Sequence, residues 1–273
     1  DVGDRDEMVR VTRQQIKHGA DWVKIHVTGS LPNRTGELTA WSLDELRAVT
    51  DTAHGLGTPT VAHCRNAEST RLAAEAGVDL IFHASFLDEA ALAAVVESGA
   101  AIAPTFTFLD NLARHGDKVG AMSTQVDLFR GEIAMTAAML RRAHDAGVRL
   151  LCGSESGFSL TPYGHWHARE AELLVTEVGL SPLEALTCAT RNGAMALRQD
   201  EGTIGVVAEG ALAELLVVAG DPGLLGDRTN LRHVISRGVP VDLDRPWPER
   251  RPLPGEKAGL WSARPLTWDL AHR

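Results

Sequence analysis

Five short, nearly uninterrupted apolar segments punctuate the first part of the chain: Val23–Thr28, Pro59–Cys64, Leu80–Ala84, Ala101–Phe106 and Leu150–Ser154. Each follows a turn signal, in order Gly19-Ala20-Asp21, Gly55-Leu56-Gly57, Gly77-Val78-Asp79, Gly99 and Gly147-Val148. Short runs apolar on both sides of the pleat predict strands buried on both faces, as in a parallel sheet. Helical stretches separate them. Ser42 and Glu45 form a capping box for a helix to about His54, and Asn66–Ala76 and Asp88–Ser98 are alanine-rich helices closed by Gly77 and Gly99. Gly131–Ala146 reads as a longer helix stopped by Gly147. Strand and helix in steady alternation predict an α/β fold, and the phrase helix, Ala-Gly-Val, strand suits a (β/α) barrel. Periodicity alone leaves a doubly wound open sheet available, but no Gly-x-Gly-x-x-Gly opens a helix to cradle a dinucleotide.

The pattern changes after residue 155. His165–Val178 and Ser181–Leu197 read as consecutive helices, the second with Ser181, Pro182 and Glu184 as its N-terminal signals. Gly202–Val207, Leu212–Val218, Leu231–Ser236 and Val239–Asp242 then read as short strands of a small β-rich appendage. From Pro246 onward the chain is rich in proline and tryptophan without periodicity, which predicts an extended tail that docks on a surface or partner and points to a homo-oligomer.

Composition narrows the function. The chain has 273 residues, 44% hydrophobic and 23% charged, an ordinary globular balance. A net charge of −9 and a pI near 5.6, with no basic cluster, argue against nucleic acid as partner. No apolar run is long enough to span a membrane, and Asp1–Arg5 lacks the apolar core of a signal peptide, so a cytoplasmic protein is expected. Cys64, Cys152 and Cys188 are too scattered for a disulfide framework or zinc ribbon and read as small buried hydrophobes.

Candidate chemistry lies at the strand ends, where a parallel barrel builds its active site. Lys24 interrupts the first run, His63 closes the second, His83 the third, and Glu155 follows the fifth. Taken singly, each has a bland reading: a lysine with a snorkelling head, two satisfied core histidines, an exposed loop acid. Two histidines at successive strand ends shift the balance towards metal binding, because neutral imidazole is the commonest metal-binding side chain. His26 shares the strand face of Lys24 and is expected to support the ligands or touch substrate.

Val23-Lys24-Ile25, Ala62-His63, Phe82-His83 and Gly153-Ser154-Glu155-Ser156-Gly157, in this order, resemble the metal-ligand stations of the amidohydrolase superfamily. The nearest likeness is its imidazolonepropionase-like group, which includes prolidase-type dipeptidases and hydrolases of ureas and carbamates. Gly179-Leu180-Ser181-Pro182-Leu183-Glu184-Ala185-Leu186, Gly202-Thr203-Ile204 and Leu215-Leu216-Val217-Val218 are similar to that group's later helices and sandwich strands. The resemblance implies a TIM-type (β/α)8 barrel whose C-terminal five strands lie in residues 1–200, half of a composite β-sandwich in 201–245, and a tail in 246–273. It implies a C–N bond hydrolase (peptidase or amidase class) acting on a small molecule, with one or two divalent ions, zinc foremost and cobalt or manganese next. Lys24, carboxylated, with His63, His83 and Glu155 would be ligands, and Glu155 with Lys24 the catalytic pair. Tyr163 and His165, in the loop after the last strand, would face substrate with His26, and Thr107–Arg130 would form a lid.

Two departures accompany the resemblance. No His-x-His precedes Lys24, and His165-Trp166-His167 stands at the wrong station; five strands cannot close an eight-stranded barrel. The expectation is a chain completed by an N-terminal segment or a second polypeptide. Glu155 also replaces the family's aspartate, a change compatible with an alternative reading as a metal-free, inactive subunit.

Overall fold

The computed structural model describes residues 4–29, 37–119, 122–157, 160–198, 202–221 and 230–244. The first of its helices, α1 (Arg5–Lys17), was not anticipated from the pattern, because its inward positions Met8 and Thr12 are outnumbered by charges. Asp4 caps it, accepting from the Glu7 amide at 2.8 Å. Strand β1 (Val23–His26) leads to α2 (Leu43–Gly55), which opens on the expected Ser42–Glu45 capping box. Then come β2 (Thr60–Cys64), α3 (Ala67–Glu75) capped by Asn66, β3 (Leu80–His83), α4 (Glu89–Ser98) capped by Asp88, and β4 (Ala101–Ala103). Gly99 ends α4 at φ 73°, a left-handed backbone that glycine adopts without strain.

The four strands pair in sequence order, all parallel. This agrees with the α/β expectation. The fifth expected strand shrinks to one parallel bridge, Ile102 with Leu150, held by Ile102 N–H to Arg149 O at 2.9 Å and Leu151 N–H to Ile102 O at 2.8 Å. Its other backbone groups are claimed elsewhere: Leu150 O accepts from Asn192 Nδ2 at 2.8 Å, and Cys152 N–H donates to Cys188 O at 3.3 Å.

Parallel strands bury both faces, and here the two faces differ. Val23, Ile25, Ala62, Cys64, Ile81, Ile102 and Leu150 enter the main core. The opposite face carries a smaller cluster of Val61, Leu80, Ala101, Ala103 and Leu151, joined by Trp22, Phe82 and Met195. Lys24 and His26 stand on that second face of β1, the edge strand among the described residues, and are only partly covered.

Several helical boundaries moved. Thr107–Arg130, expected as a lid, is largely helix: α5 (Phe106–His115), a 3-10 turn (Gly116–Val119) and the first turns of α6 (Ser123–Asp145), which runs straight through Gly131. Phe106, Phe108 and Leu109 are buried in the core. After α7 (His167–Thr176) and α8 (Pro182–Ala189), Thr190 adopts φ −119° and ψ −84°, so the expected helix to Leu197 continues only as a 3-10 turn, Asn192–Leu197. Gly202–Val207 forms turns with one bridging residue instead of a strand. Strands β5 (Leu215–Val218), β6 (Leu231–Ser236) and β7 (Val239–Pro240) make a separate antiparallel sheet. The expected tail, 246–273, lies outside the described residues. No helix among those described is long and apolar enough to cross a membrane.

Leu140, fully buried on α6, tests the helix-covered core. Leu140→Ala is expected to lose about 2–5 kcal/mol in urea unfolding, whereas Leu183→Ala, at an exposed site, changes stability by less than ~0.5 kcal/mol.

Candidate metal centre

His63 and His83 end adjacent strands, but strand register alone would not bring their rings together. Cys64, not His63, is opposite His83, and Cys64 faces the main core. The chain corrects this at the strand end. His83 adopts φ 72° and Ala84 φ 47°, a left-handed turn that swings the His83 ring to the His63 side. Histidine tolerates this region better than most side chains, and the strain marks a functional constraint. The result is His83 Nε2 at 2.9 Å from His63 Nδ1, the rings edge to face with centroids 4.5 Å apart.

The outer nitrogen of each ring decides what the inner one can be. Thr105, just past β4, has a single hydroxyl proton and places it on Pro104 O at 2.7 Å. His83 Nδ1 lies 2.5 Å from the Thr105 hydroxyl oxygen; with the hydroxyl proton on Pro104 O, it donates there and Nε2 keeps its lone pair. His63 Nε2 donates to Glu37 Oε2 at 2.8 Å, so His63 Nδ1 is bare as well. Glu37 stays an acceptor: burial pushes its carboxyl up, but hydrogen bonds from His63 and Thr28 and the charges of His63 and Arg65 outweigh burial and hold it below the usual range. These tautomers are assigned from the network.

With these tautomers two lone pairs face each other at 2.9 Å, and a cation bound between them would satisfy both. Protonating the pair is opposed by burial, which lowers both histidines, His83 well below its ordinary value. A divalent ion meets the same need with neutral rings. Zn–N bonds of ~2.0–2.1 Å hold two nitrogens roughly 3.3 Å apart, a few tenths of an ångström wider than the spacing seen. The third group is Glu155, whose Oε1 lies 3.8 Å from His83 Nε2. No three of the His, Cys, Asp and Glu side chains among the described residues already stand in position to ligate one ion. The donor chemistry fits a divalent ion, and the last adjustment belongs to Glu155.

Lys24 and Glu155 influence each other across this space. Burial lowers Lys24, with the charge of Glu155 opposing, and burial raises Glu155, with Arg65 and Lys24 opposing. Both are driven towards their neutral forms. Lys24 Nζ rests 4.1 Å above the Phe82 ring. His26 stacks flat on His63, centroids 3.8 Å apart, and Trp41 Nε1 donates to its carbonyl. Tyr163 is exposed with its phenol against Gly157, and His165 is half-buried in the same loop.

A buried ionic chain backs the imidazoles. The loop after β1 folds over β2 through Glu37 N–H to Arg65 O at 3.1 Å, which sets Glu37 against His63. Arg65 Nη1 donates to Glu132 Oε1 at 2.9 Å, Ser85 donates to that oxygen at 2.5 Å, and Arg65 Nε lies 3.8 Å from Glu37 Oε1. Burial raises Glu132, with Arg65 and Ser85 opposing. Sequence reasoning missed Glu37, Arg65, Glu132 and Thr105. Two of these left a readable signal. Thr105 is the polar residue closing the fourth apolar run, and Glu132 sits at helical spacing with the buried Phe129, Ile133 and Thr136. Glu37, in a polar loop, gave none.

Comparison with known proteins places this geometry. A chain of Mycobacterium tuberculosis, itself uncharacterized, is 28% identical over 223 residues, covering 81% of this chain and 58% of its own length. Ochratoxinase of Aspergillus niger is 24% identical over 220 residues, 80% of this chain and 44% of that one. Among solved structures, a prolidase complexed with N-methylphosphonate-L-proline superposes with a TM-score of 0.75 at 30% identity, covering 88% of this chain and 59% of that one. A Xaa-Pro dipeptidase with bound methionine gives 0.75 at 27%, with the same coverage. Molinate hydrolase, at 20% identity and a TM-score of 0.72, shares the fold. The chain spans about three fifths of the length of several of these relatives. The model of the amidohydrolase family matches residues 4–241, so the chain belongs to that family.

Proposed function

We propose that this chain carries the metal-holding part of a hydrolase that cleaves a C–N bond in a small amide, peptide, urea or carbamate. The observation that carries the reading is the pair of bare nitrogens, His63 Nδ1 and His83 Nε2, held face to face in a buried site beside a carboxylate. His63, His83, Glu155 and a carboxylated Lys24 would hold one or two divalent ions, zinc first and cobalt or manganese as alternatives. Carboxylation needs a neutral amine, which the lowered pKa of Lys24 favours. When bound, such an ion acidifies water and polarises a carbonyl.

The remaining chemistry belongs to side chains. Glu155 accepts the proton of the attacking water and returns it to the leaving nitrogen, and its burial-raised pKa suits both transfers. Glu37 and Thr105 keep the imidazoles aimed inwards. Tyr163, His165 and His26 are the candidates for substrate contact. The prolidase and dipeptidase among the similar structures favour a peptide or related amide. The edge of β1, with Lys24 and His26 beside it, supports closure of a TIM-type barrel by further strands of the polypeptide or of a second chain, in a homo-oligomer of the cytoplasm.

Two experiments test this reading. After dialysis the protein should retain near-stoichiometric metal, and His63→Asn or His83→Asn should each remove most of it by elemental analysis; retention by both variants would contradict the assignment. Assayed with metal in excess to offset the weakened ligand set, Glu155→Gln should lower kcat on N-acyl amino acids or dipeptides by about 10²–10⁴-fold.

A further inference from the structure

Thr105 occupies the N-cap of α5 but does not cap it. Threonine is favoured at that position because its oxygen can accept an amide proton from the first turn. Here Thr105 makes no such bond, and its backbone is left-handed at φ 57°, a strained conformation for a β-branched residue. Its hydroxyl is committed instead to His83 Nδ1 and Pro104 O. The orphaned amides of α5 are served from elsewhere. Glu170, on α7 and 1% exposed, accepts from Phe106 N–H at 2.9 Å, Thr107 N–H at 2.7 Å and the Thr107 hydroxyl at 2.7 Å.

A buried carboxylate is costly unless hydrogen-bonded; burial pushes Glu170 up to about 7, with the hydrogen bonds from Thr107, Phe106 and Thr105 opposing. Docking of α7 on α5 has contacts besides those of Glu170. Arg169 independently bonds Asp110 of α5 at 2.9 Å, and Leu173 and Leu174 are fully buried alongside.

We propose that Glu170 is a positioning residue for His83: by capping α5 in place of Thr105, it frees the Thr105 hydroxyl to hold His83 Nδ1–H and so keeps Nε2 as the inward lone pair. Without the Glu170 cap, Thr105 would relax towards the usual extended N-cap backbone, turn its oxygen to the α5 amides and leave the His83 tautomer unfixed. The functional consequence rests on the metal-hydrolase reading, but the tautomer itself does not.

The test compares Thr105→Val, Thr105→Ser and Glu170→Gln with wild type in two measurements: zinc affinity by chelator competition, and imidazole nitrogen chemical shifts of His83. Thr105→Ser should match wild type. Thr105→Val and Glu170→Gln should each weaken zinc on the order of 10–100-fold, the usual effect of losing a partner behind a ligand. The double variant should lose little more than either single one, because both act through one hydroxyl. Unchanged affinity in Glu170→Gln, or fully additive losses, would overturn the proposal. If wild type holds no zinc, the metal reading fails while the shifts still decide this one. A proton on Nδ1 in wild type, redistributed in Glu170→Gln, upholds it; the same tautomer in both overturns it. Glu170→Asp, anionic but shorter, carries the comparison if Glu170→Gln does not fold.

Discussion

Two unprotonated nitrogens pointed at each other inside a protein are unfavourable, and the surroundings of His63 and His83 are arranged to keep them so. Each outer nitrogen is tied to a group that takes its proton, Glu37 on one side and Thr105 on the other. Removing either tie would let a ring flip its tautomer and satisfy the other ring with an ordinary N–H···N bond. The cluster therefore resists the easy solution, and binding of a cation would relieve the conflict. Of the nearby carboxylates, Glu37 is held ionised, while burial pushes Glu155 and Glu132 up against the opposing charge of Arg65.

Backbone strain is placed where this arrangement needs it. His83, Thr105 and Glu155 follow or end three successive strand stations, and all three have positive φ, at 72°, 57° and 50°. Strict strand alternation would send His83 to the helix-covered side with its register partner Cys64. The left-handed turn moves it to the other side. Such conformations persist only where neighbours over-determine them. Glu170 beneath α5 and the Arg65–Glu132–Ser85 chain beneath β2 and β3 are neighbours of that kind.

The strand stations could be read from the sequence because parallel strands leave uninterrupted apolar runs, and a lysine or histidine at the end of such a run stands out. Cap signals at Ser42 and Ser181 were equally plain, since capping is local chemistry. The amidohydrolase resemblance rested on the same stations, and the family match extends it over most of the chain. What escaped is non-local. Glu37 reaches His63 only after the loop behind β1 closes over β2, and no local pattern announces that closure. Helix α1 hid behind its charges, and the fifth strand was cut short because Asn192 and Cys188 took its backbone partners. The supposed lid was mistaken for loop because its apolar residues do not repeat over a long enough stretch before Gly116, yet they are core.

The most direct measurement of the central claim is anomalous diffraction at the zinc edge from crystals of the metal-loaded protein. The account predicts a peak between His63 Nδ1 and His83 Nε2, at about 2.0–2.1 Å from each, with Glu155 drawn towards it. A map with no density between those nitrogens, and a direct N–H···N hydrogen bond in its place, would contradict it.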